Sequence, residues 1–262
     1  LVCGSGVSCG RCEWCAAGRT NLCAEYATFG LHLDGGLARY VTVPDRICLA
    51  VPAGVDDTAA AMTQPLAVAL HAVRRSGLQP GRSCVVIGAG GIGAFVIAAA
   101  LALGADPVVA LDIDDDRLAT ARELGAHQAR SVRGADLADA IAAATAGAGA
   151  HVVFAASGAA SAPAAALAGT RRGGTVLLVG LQAAPRELDL LSLTSREITV
   201  AGTLAHVCDT DLPQALELLA RRPLAPLVLD RVIPLADLVS DGLRRLADGT
   251  ARGKIVVDLA DA

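Results

Sequence analysis

The segment that most constrains the fold of this chain is "CVVIGAGGIG", which covers residues 84 to 93. An apolar run leads into glycines spaced G-x-G-x-x-G, and a second apolar stretch follows them. This order is typical of a buried β-strand, a tight turn and a helix. The next apolar run, Val108–Asp112, ends on a carboxylate. Strand, glycine turn, helix and a second strand with an acidic end together predict a dinucleotide-binding turn.

The glycines have separate roles in such a turn. Gly88 permits the sharp turn, Gly90 lets the backbone approach a pyrophosphate, and Gly93 lets the helix pack on the strand. Gly91 and Ile92 open the helix, whose free N–H groups and positive dipole end favour phosphate. A glycine turn that binds no ligand is the alternative interpretation.

The acidic end of the second strand bears on which nucleotide is bound. Asp112 can accept hydrogen bonds from both ribose hydroxyls, and its charge repels a 2′-phosphate, which favours NAD over NADP. The following Asp114, Asp115 and Asp116 are expected to form the acidic N-terminus of a helix. Arg117 is either a second contact to the cofactor ribose or a solvated helix residue.

Apolar runs alternate with helical stretches through the middle of the chain. The predicted helices cover residues 91–103, 115–124, 135–146 and 159–169. Val-rich strands between helices indicate an α/β fold with a doubly wound parallel sheet covered on both faces. The strands predicted from these runs are Cys84–Gly88, Val108–Asp112, Gln128–Val132, His151–Ala156, Thr175–Gly180 and Ile198–Thr203.

The regions on either side have a different character. The first 64 residues are rich in Gly and Cys with short β-like runs such as Ala38–Val43, and a helix is predicted from Pro65 to Gly77. Asp209–Ala220 also reads as a helix. The tail predicts a strand from residue 228, a helix over 235–247 and the strand-like run "KIVVDL".

A cluster of four cysteines lies near the start of the chain, in "SCGRCEWCAAGRTNLC". Four thiolates at such short spacing suit a closed tetrahedral zinc site, which is structural rather than catalytic. An iron–sulfur cluster is the rival, although the ferredoxin run needs a closer fourth cysteine followed by proline. Free thiols or disulfides are the remaining alternative. The four residues are Cys9, Cys12, Cys15 and Cys23.

Composition and charge argue against several classes of partner and location. The net charge of −4, with acidic and basic residues interspersed, gives no basic surface for nucleic acid. Residues 84–105 carry no charge, but their glycines break the stretch into strand, turn and helix rather than a membrane span. With no secretory signal visible and the cysteines clustered as for metal binding, we expect a cytoplasmic protein.

These motifs together resemble the zinc-dependent medium-chain alcohol dehydrogenases, in the branch of sorbitol, butanediol and threonine dehydrogenases. The resemblance rests on "CGRCEWCAAGRTNLC", "DGGLARYVTVP", "QPLAVALHAV", "GAGGIG" with "LDIDDDR", and "GGTVLLVGL", and it covers the whole chain. It implies a Rossmann domain over residues 65–222, inserted in an incomplete GroES-like catalytic domain formed by 1–64 and 223–262. It also implies a structural zinc at the cysteines and NAD as cofactor.

The resemblance also implies contacts to the cofactor and an assembly. NAD is expected to touch Ile92, Asp112 and Arg117, together with Val179, Gly180, Leu181, Thr203 and Leu204. The edge of the sixth strand, near Ile198–Thr203, is expected to pair across a homo-oligomer, either a dimer or a tetramer.

The chain departs from the family at the catalytic zinc. The cysteine and the His-Glu pair that bind this metal in the family lie upstream of the cysteine lobe, so we expect the chain to be an N-terminally shortened copy or a fragment. Gln64 stands at the third ligand position, and glutamine is a poor zinc ligand. The histidines offer no clear replacement: His71 is expected to pack in a helix, and His32, His127, His151 and His206 lie in loops or at strand edges.

The leading interpretation is an NAD-dependent oxidoreductase that interconverts a secondary alcohol or polyol and its ketone by hydride transfer. A non-catalytic NAD-binding remnant or pseudoenzyme subunit is the alternative, and a cysteine-cluster redox protein is a third hypothesis. Small alcohols are the expected partners, with neither nucleic acid nor membrane.

Overall fold

The computed structural model describes residues 1–260 and contains two compact units. Unit 1 is made of Leu1–Val68 and the chain from Leu204 onward, while unit 2 is the continuous stretch Ala69–Thr203. The predicted domain limits at residues 64 and 222 stay a prediction, because compactness alone does not delimit a domain.

The strands of the described residues are short in unit 1 and longer in unit 2. In chain order they are β1 (Val2–Cys3), β2 (Gly6–Val7), β3 (Ala27–Thr28), β4 (Cys48–Leu49), β5 (Cys84–Ile87), β6 (Val108–Asp112), β7 (Gln128–Ser131), β8 (Ala150–Ala155), β9 (Thr170–Leu178), β10 (Thr199–Gly202), β11 (Leu229–Pro234) and β12 (Lys254–Asp258).

The α-helices range from single turns to more than three turns. In chain order they are α1 (Glu13–Ala16), α2 (Asp57–Ala61), α3 (Thr63–Arg75), α4 (Gly91–Ala102), α5 (Asp115–Glu123), α6 (Leu137–Ala144), α7 (Ala162–Gly169), α8 (Leu190–Ser195), α9 (Cys208–Arg221), α10 (Ala225–Val228) and α11 (Arg244–Ala247).

Unit 2 is built on one parallel sheet of six strands in the order β10-β9-β8-β5-β6-β7. All six correspond to predicted strands, and the order is that of a doubly wound dinucleotide-binding fold. The α/β fold class is therefore confirmed. From β5 the chain first adds β6 and β7 on one side and then crosses over to add β8, β9 and β10 on the other side. The switch point of the strand order therefore lies between β5 and β8.

The centre of this sheet is fully buried because its strands are covered on both faces. Every residue of β5 and β6 is buried, including the carboxylate-bearing Asp112. Helix α4 is buried from Gly93 to Ala100, which accounts for the long uncharged stretch of the sequence. Within residues 1–260, every helix is too short or too polar to cross a membrane.

Helix α5 begins where the acidic cluster predicted it. The carboxylate of Asp114 accepts hydrogen bonds from the N–H groups of Asp116 and Arg117, at 3.0 and 3.1 Å. The capping residue satisfies donors that a helix N-terminus leaves free. The predicted role of the cluster is confirmed.

Unit 1 contains paired short strands rather than a large sheet. β1 pairs with β4 and β2 with β3, both antiparallel, while β11 and β12 run parallel. The expected β-run at Ala38–Val43 is wrong: no residue there joins a ladder in the described chain, and Tyr40 is 83% exposed. Without a neighbouring strand, β propensity alone does not form one.

The predicted helix over residues 235–247 is helical throughout, but the type of helix changes along it. It starts as a 3₁₀ turn at Leu235–Asp237, widens to a π-helical turn at Leu238–Leu243, and ends as α11. Gly242 lies inside the wide turn, where a glycine lowers the cost of departing from α geometry.

Candidate functional site

The glycine turn lies between β5 and α4 with the geometry that its spacing predicts. Gly88 has a φ of +95°, a conformation that L side chains rarely adopt. A Cβ at position 93 would collide with the carbonyl oxygen of Gly88, so only glycine lets α4 start this close to β5. A Cβ at Gly90 would instead meet the guanidinium of Arg117 at 3.7 Å, an ordinary contact. Gly90 is therefore free of crowding in the protein itself.

Asp112 is buried beside this turn, with 6% of its surface exposed. Its Oδ2 accepts the backbone N–H of Ala89 at 2.7 Å, and its Oδ1 accepts that of Asp114 at 2.9 Å. The Arg117 guanidinium reaches to 4.0 Å from Oδ1. A carboxylate has about four acceptor positions, so lone pairs remain for hydroxyl donors after both backbone bonds are made.

A cavity of about 270 Å³ opens directly over these residues. Of the residues singled out in the sequence, Gly88, Gly90, Asp112 and Arg117 line it. The remaining wall comes from Ile87, Leu111, Ile113, Val132, Leu137, Ala156, Ser157, Gly158 and Ala159.

The cavity lies at the carboxyl ends of the parallel strands, where the sheet order reverses. β5, β6 and β8 are adjacent, and the loops that follow them supply most of its wall. Ligands of open α/β sheets bind in the crevice at this switch point. Sequence reasoning missed Ser157, Gly158 and Ala159; their signal was the small-residue run "ASGAA" directly after a predicted strand.

Other residues expected near the nucleotide lie outside the cavity wall. Gly91, Ile92 and Gly93 form the first turn of α4. The loop after β9 packs against the end of β8, because the N–H groups of Val179 and Gly180 both donate to the carbonyl of Ala155.

The three remaining candidates are also absent from the cavity wall. Leu181 is 92% exposed and Leu204 is 55% exposed. Thr203 closes unit 2, and its hydroxyl is buried with no hydrogen-bond partner in the described chain. Within unit 2, the structure thus brings together the glycine turn, Asp112 and Arg117.

The cysteine cluster in unit 1 assembles as its spacing predicts. The four sulfur atoms of Cys9, Cys12, Cys15 and Cys23 all lie within 4.8 Å of one another. A tetrahedral zinc with bonds of about 2.3 Å needs sulfur atoms roughly 3.8 Å apart. The four thiols therefore fit one metal ion with small adjustments.

Backbone N–H groups donate to the sulfur atoms of Cys9 and Cys12 and favour the thiolate forms of these two residues. The N–H of Cys15 donates to Cys12 and lowers the pKa of that thiol to about 6. Hydrogen bonds from the N–H groups of Arg11 and Cys12 lower the pKa of Cys9. The N–H of Cys9 donates to Cys23 at 3.2 Å and lowers its pKa, but burial and hydrogen bonds with the thiols of Cys9 and Cys15 raise the pKa of Cys23 on balance to about 11. Since the thiolate is the form that binds metal, Cys9 and Cys12 are the members of the set that the backbone prepares for zinc.

Gln64 stands apart from any comparable cluster. Its amide donates to the hydroxyl of Ser5 at 3.3 Å. Among residues 1–260, the four cysteines are the only set of three or more Cys, His, Asp or Glu whose ligand atoms converge. The described residues therefore do not fit a second, catalytic zinc.

The histidines are held by local contacts. His32 accepts the N–H of Thr28, and His127 accepts that of Val108 while facing Asp106. His71 lies within α3. The other two histidines have different surroundings. His206 is 1% exposed, and its Nε2 lies 3.7 Å from Sγ of Cys208. His151 lies between the guanidinium groups of two arginines.

Comparison with known families assigns the chain through two matched segments. Residues 91–221, half of the 262 residues, match the family described as zinc-binding dehydrogenase. The chain belongs to this family. Residues 1–53 of this zinc-binding dehydrogenase also match the alcohol dehydrogenase GroES-like domain. The resemblance that the motifs suggested is confirmed.

Individual relatives agree with this assignment. The chain is 42% identical over 122 residues to an L-idonate 5-dehydrogenase of Vitis vinifera, and 41% identical over 126 residues to a sorbitol dehydrogenase of Arabidopsis thaliana. These stretches are 46% and 47% of this chain but only 33% and 34% of the relatives. The matches thus span about a third of the curated relatives' length.

A solved structure matches nearly all of the chain. The L-idonate 5-dehydrogenase of Escherichia coli superposes with a TM-score of 0.88 at 28% identity. The superposition covers 98% of this chain and 74% of that protein. This zinc-binding dehydrogenase therefore shares its fold with that enzyme over both units.

Proposed function

We propose that this chain binds NAD at the glycine turn and belongs to an oxidoreductase that interconverts a secondary alcohol or polyol and its ketone. The observation that carries the proposal is the buried Asp112, hydrogen-bonded to the turn at Ala89 and facing a cavity at the switch point of the sheet. Besides holding the turn, this carboxylate keeps acceptor positions for hydroxyl donors in the cavity.

The residues present suit the cofactor. The N-terminus of α4, opened by Gly91, would hold the diphosphate, because Gly90 leaves its approach open. Asp112 would accept the ribose hydroxyls and repel a 2′-phosphate, and Arg117 would lie alongside. Ile92, Val179, Gly180, Leu181, Thr203 and Leu204 complete the proposed contacts. When bound, the nicotinamide accepts or returns a hydride.

The four-cysteine cluster would hold a structural zinc. A closed Cys₄ shell leaves no position for water or substrate, so the metal would stabilise the lobe of unit 1 rather than act on substrate. An iron–sulfur cluster is the alternative occupant, and metal analysis distinguishes the two.

The substrate class follows from the relatives. The similar proteins are an L-idonate 5-dehydrogenase and a sorbitol dehydrogenase, whose named substrates are polyhydroxylated chains. We assign no catalytic step to a zinc ion in this chain, because Gln64 bonds to Ser5 and the described residues bring together no ligand set around it.

That same observation favours a second candidate function, a non-catalytic NAD-binding subunit. Both candidates predict NAD binding, and they differ in turnover. The remaining expectations also stay proposals: a cytoplasmic location, and a homo-oligomer built through β10, which is an edge strand of the six-stranded sheet.

The experiment combines binding and turnover on the chain as it is. NADH affinity is measured by calorimetry, and NADH formation is followed with NAD and sorbitol, L-idonate or 2,3-butanediol. Binding with turnover supports the oxidoreductase, and binding without turnover supports the non-catalytic subunit. Folded protein that binds neither NADH nor NAD contradicts both.

A further inference from the structure

Unit 2 has a second cavity at the opposite edge of the sheet from the glycine turn. It measures about 330 Å³ and lies where β8 and β9 begin, whereas the nucleotide cavity lies where the strands end. We call it the basic cavity, after its arginines. Its lining contains no carboxylate and consists of Ser76, Gly77, Leu78, Gln79, Arg82, His151, Val152, Arg171, Arg172, Gly173, Gly174 and Thr175.

A bulge in the sheet produces this arrangement. Ala150 pairs with Thr170 and Val152 with Thr175, so residues 171–174 loop out opposite His151. Gly173 takes a φ of +69°, and a Cβ at Gly174 would lie 2.9 Å from the carbonyl oxygen of His151. The glycines therefore let the bulge lie close to β8, with two consecutive arginines on it.

His151 is the point on which the positive charges converge. Nη1 of Arg82 lies 3.0 Å and Nη1 of Arg171 lies 2.6 Å from its Nε2. On the other side of the ring, Nδ1 lies 2.7 Å from the hydroxyl of Ser83. The backbone N–H of Ser83 also points at Nδ1, from 3.3 Å, while two guanidinium groups face Nε2, yet a neutral imidazole has only one acceptor nitrogen.

The donors of this cavity therefore outnumber its acceptors. Burial lowers the pKa of His151, and the charges of Arg171 and Arg82 lower it further, so the ring stays neutral. None of Arg82, Arg171 and Arg172 forms an ion pair with any residue from 1 to 260. Arg172 donates only to the carbonyl of Ser195, at 2.8 Å.

We infer that the basic cavity binds a small diphosphate anion. Guanidinium groups bind phosphate oxygens through paired, charge-assisted hydrogen bonds, which are stronger than a bond shared on one imidazole nitrogen. Two phosphate groups match three arginines in charge, and the volume exceeds what a single phosphate fills. This site is separate from the proposed nucleotide site, and it does not depend on that function.

The test titrates the full chain with inorganic pyrophosphate, by calorimetry and by nuclear magnetic resonance of the histidine rings. Arg171→Gln and Arg82→Gln are each expected to weaken binding at least about tenfold, since each removes a charged donor pair. Saturating pyrophosphate is expected to shift the His151 resonances and raise its pKa, because an anion favours the imidazolium form.

The matched control is Arg122→Gln, which removes an exposed arginine that donates to the carbonyl of Ala129, outside both cavities. It is expected to bind pyrophosphate as the parent does. Pyrophosphate held at the glycine turn would be insensitive to Arg171→Gln and would leave the His151 resonances in place, and that result overturns the inference. Tighter binding of a single-stranded oligonucleotide than of pyrophosphate, or no pyrophosphate binding, also overturns it.

Discussion

The backbone N–H of Ala89 donates to Oδ2 of Asp112 over 2.7 Å, joining the glycine turn to the end of the neighbouring strand. The carboxylate proposed to bind the ribose therefore also shapes the turn proposed to bind the diphosphate. The ribose and the diphosphate of one nucleotide would thus be bound by two protein segments that are hydrogen-bonded to each other. Substitutions in the turn and at Asp112 are expected to affect binding in distinguishable ways.

Asp112→Asn is expected to weaken NADH binding at least about tenfold, because hydrogen bonds to a buried charge contribute roughly 1.5–3 kcal/mol. The preference for NADH over NADPH should narrow, since the charge that repels a 2′-phosphate is gone. Dissociation constants for both nucleotides measure this. Asp115→Asn, an exposed change in the first turn of α5, is the control and should have no effect. Unchanged NADH affinity in Asp112→Asn would contradict the assigned role.

Gly90→Ala should leave the fold intact and impair cofactor binding. The added methyl meets only the Arg117 guanidinium, at 3.7 Å, yet it occupies the approach to the helix N-terminus. Calorimetry with NADH should show weaker binding, while thermal unfolding stays close to that of the parent. A variant that binds NADH normally would show that the diphosphate does not lie against this turn.

Gly93→Ala should instead act on stability. Its Cβ would collide with the carbonyl oxygen of Gly88, and relieving a backbone clash of this kind costs about 1–3 kcal/mol or more. Urea unfolding measures the loss. Gly36→Ala serves as the control, because nothing lies within 4 Å of a Cβ there and its φ is not positive. Equal stability of the two variants would show that α4 can shift away from β5.

Metal analysis should find one zinc and no iron per chain, and a strong chelator should lower the Tm as the zinc is removed. Cys12→Ser should lose the metal, because it removes one of four converging thiols. Cys3→Ser, which changes an exposed cysteine outside the cluster, should retain it. Iron with visible absorption would instead support the iron–sulfur alternative.

Lys254 predicts a pH dependence of stability. Burial lowers the pKa of this amine from 10.5, and the ammonium has no ion pair within residues 1–260. The unfolded chain thus holds the proton up to a higher pH than the folded chain does. The cost to stability is fully present below the folded pKa and disappears as the pH rises toward 10.5.

Lys254→Met should therefore raise the Tm at neutral pH and remove this dependence. Lys254→Arg retains the charge and is the matched control, so it should gain nothing. Profiles of Tm against pH for the three proteins decide the matter. If the Tm of the parent decreases relative to that of Lys254→Met as the pH is raised from neutral to 10.5, the dependence has the opposite sign and the prediction is wrong.

Local patterns predicted the turn and the strands well, because steric and capping rules act over a few residues. Gly88, Gly93 and the cap at Asp114 all behave as their spacing indicates. Ala38–Val43 shows the limit of such rules, since a strand needs a neighbour that its own sequence does not specify.

By itself, the sequence determined the order of strand, glycine turn, helix and acidic strand end, and the spacing of four cysteines that can reach one metal. Only the tertiary structure decided which distant segments meet. In the folded chain Ser157 lies beside Gly88, and the guanidinium groups of Arg82 and Arg171 both contact Nε2 of His151. The physical reason is that these neighbours depend on strand order and on a register shift in the sheet. Both are set by packing between segments far apart in the chain.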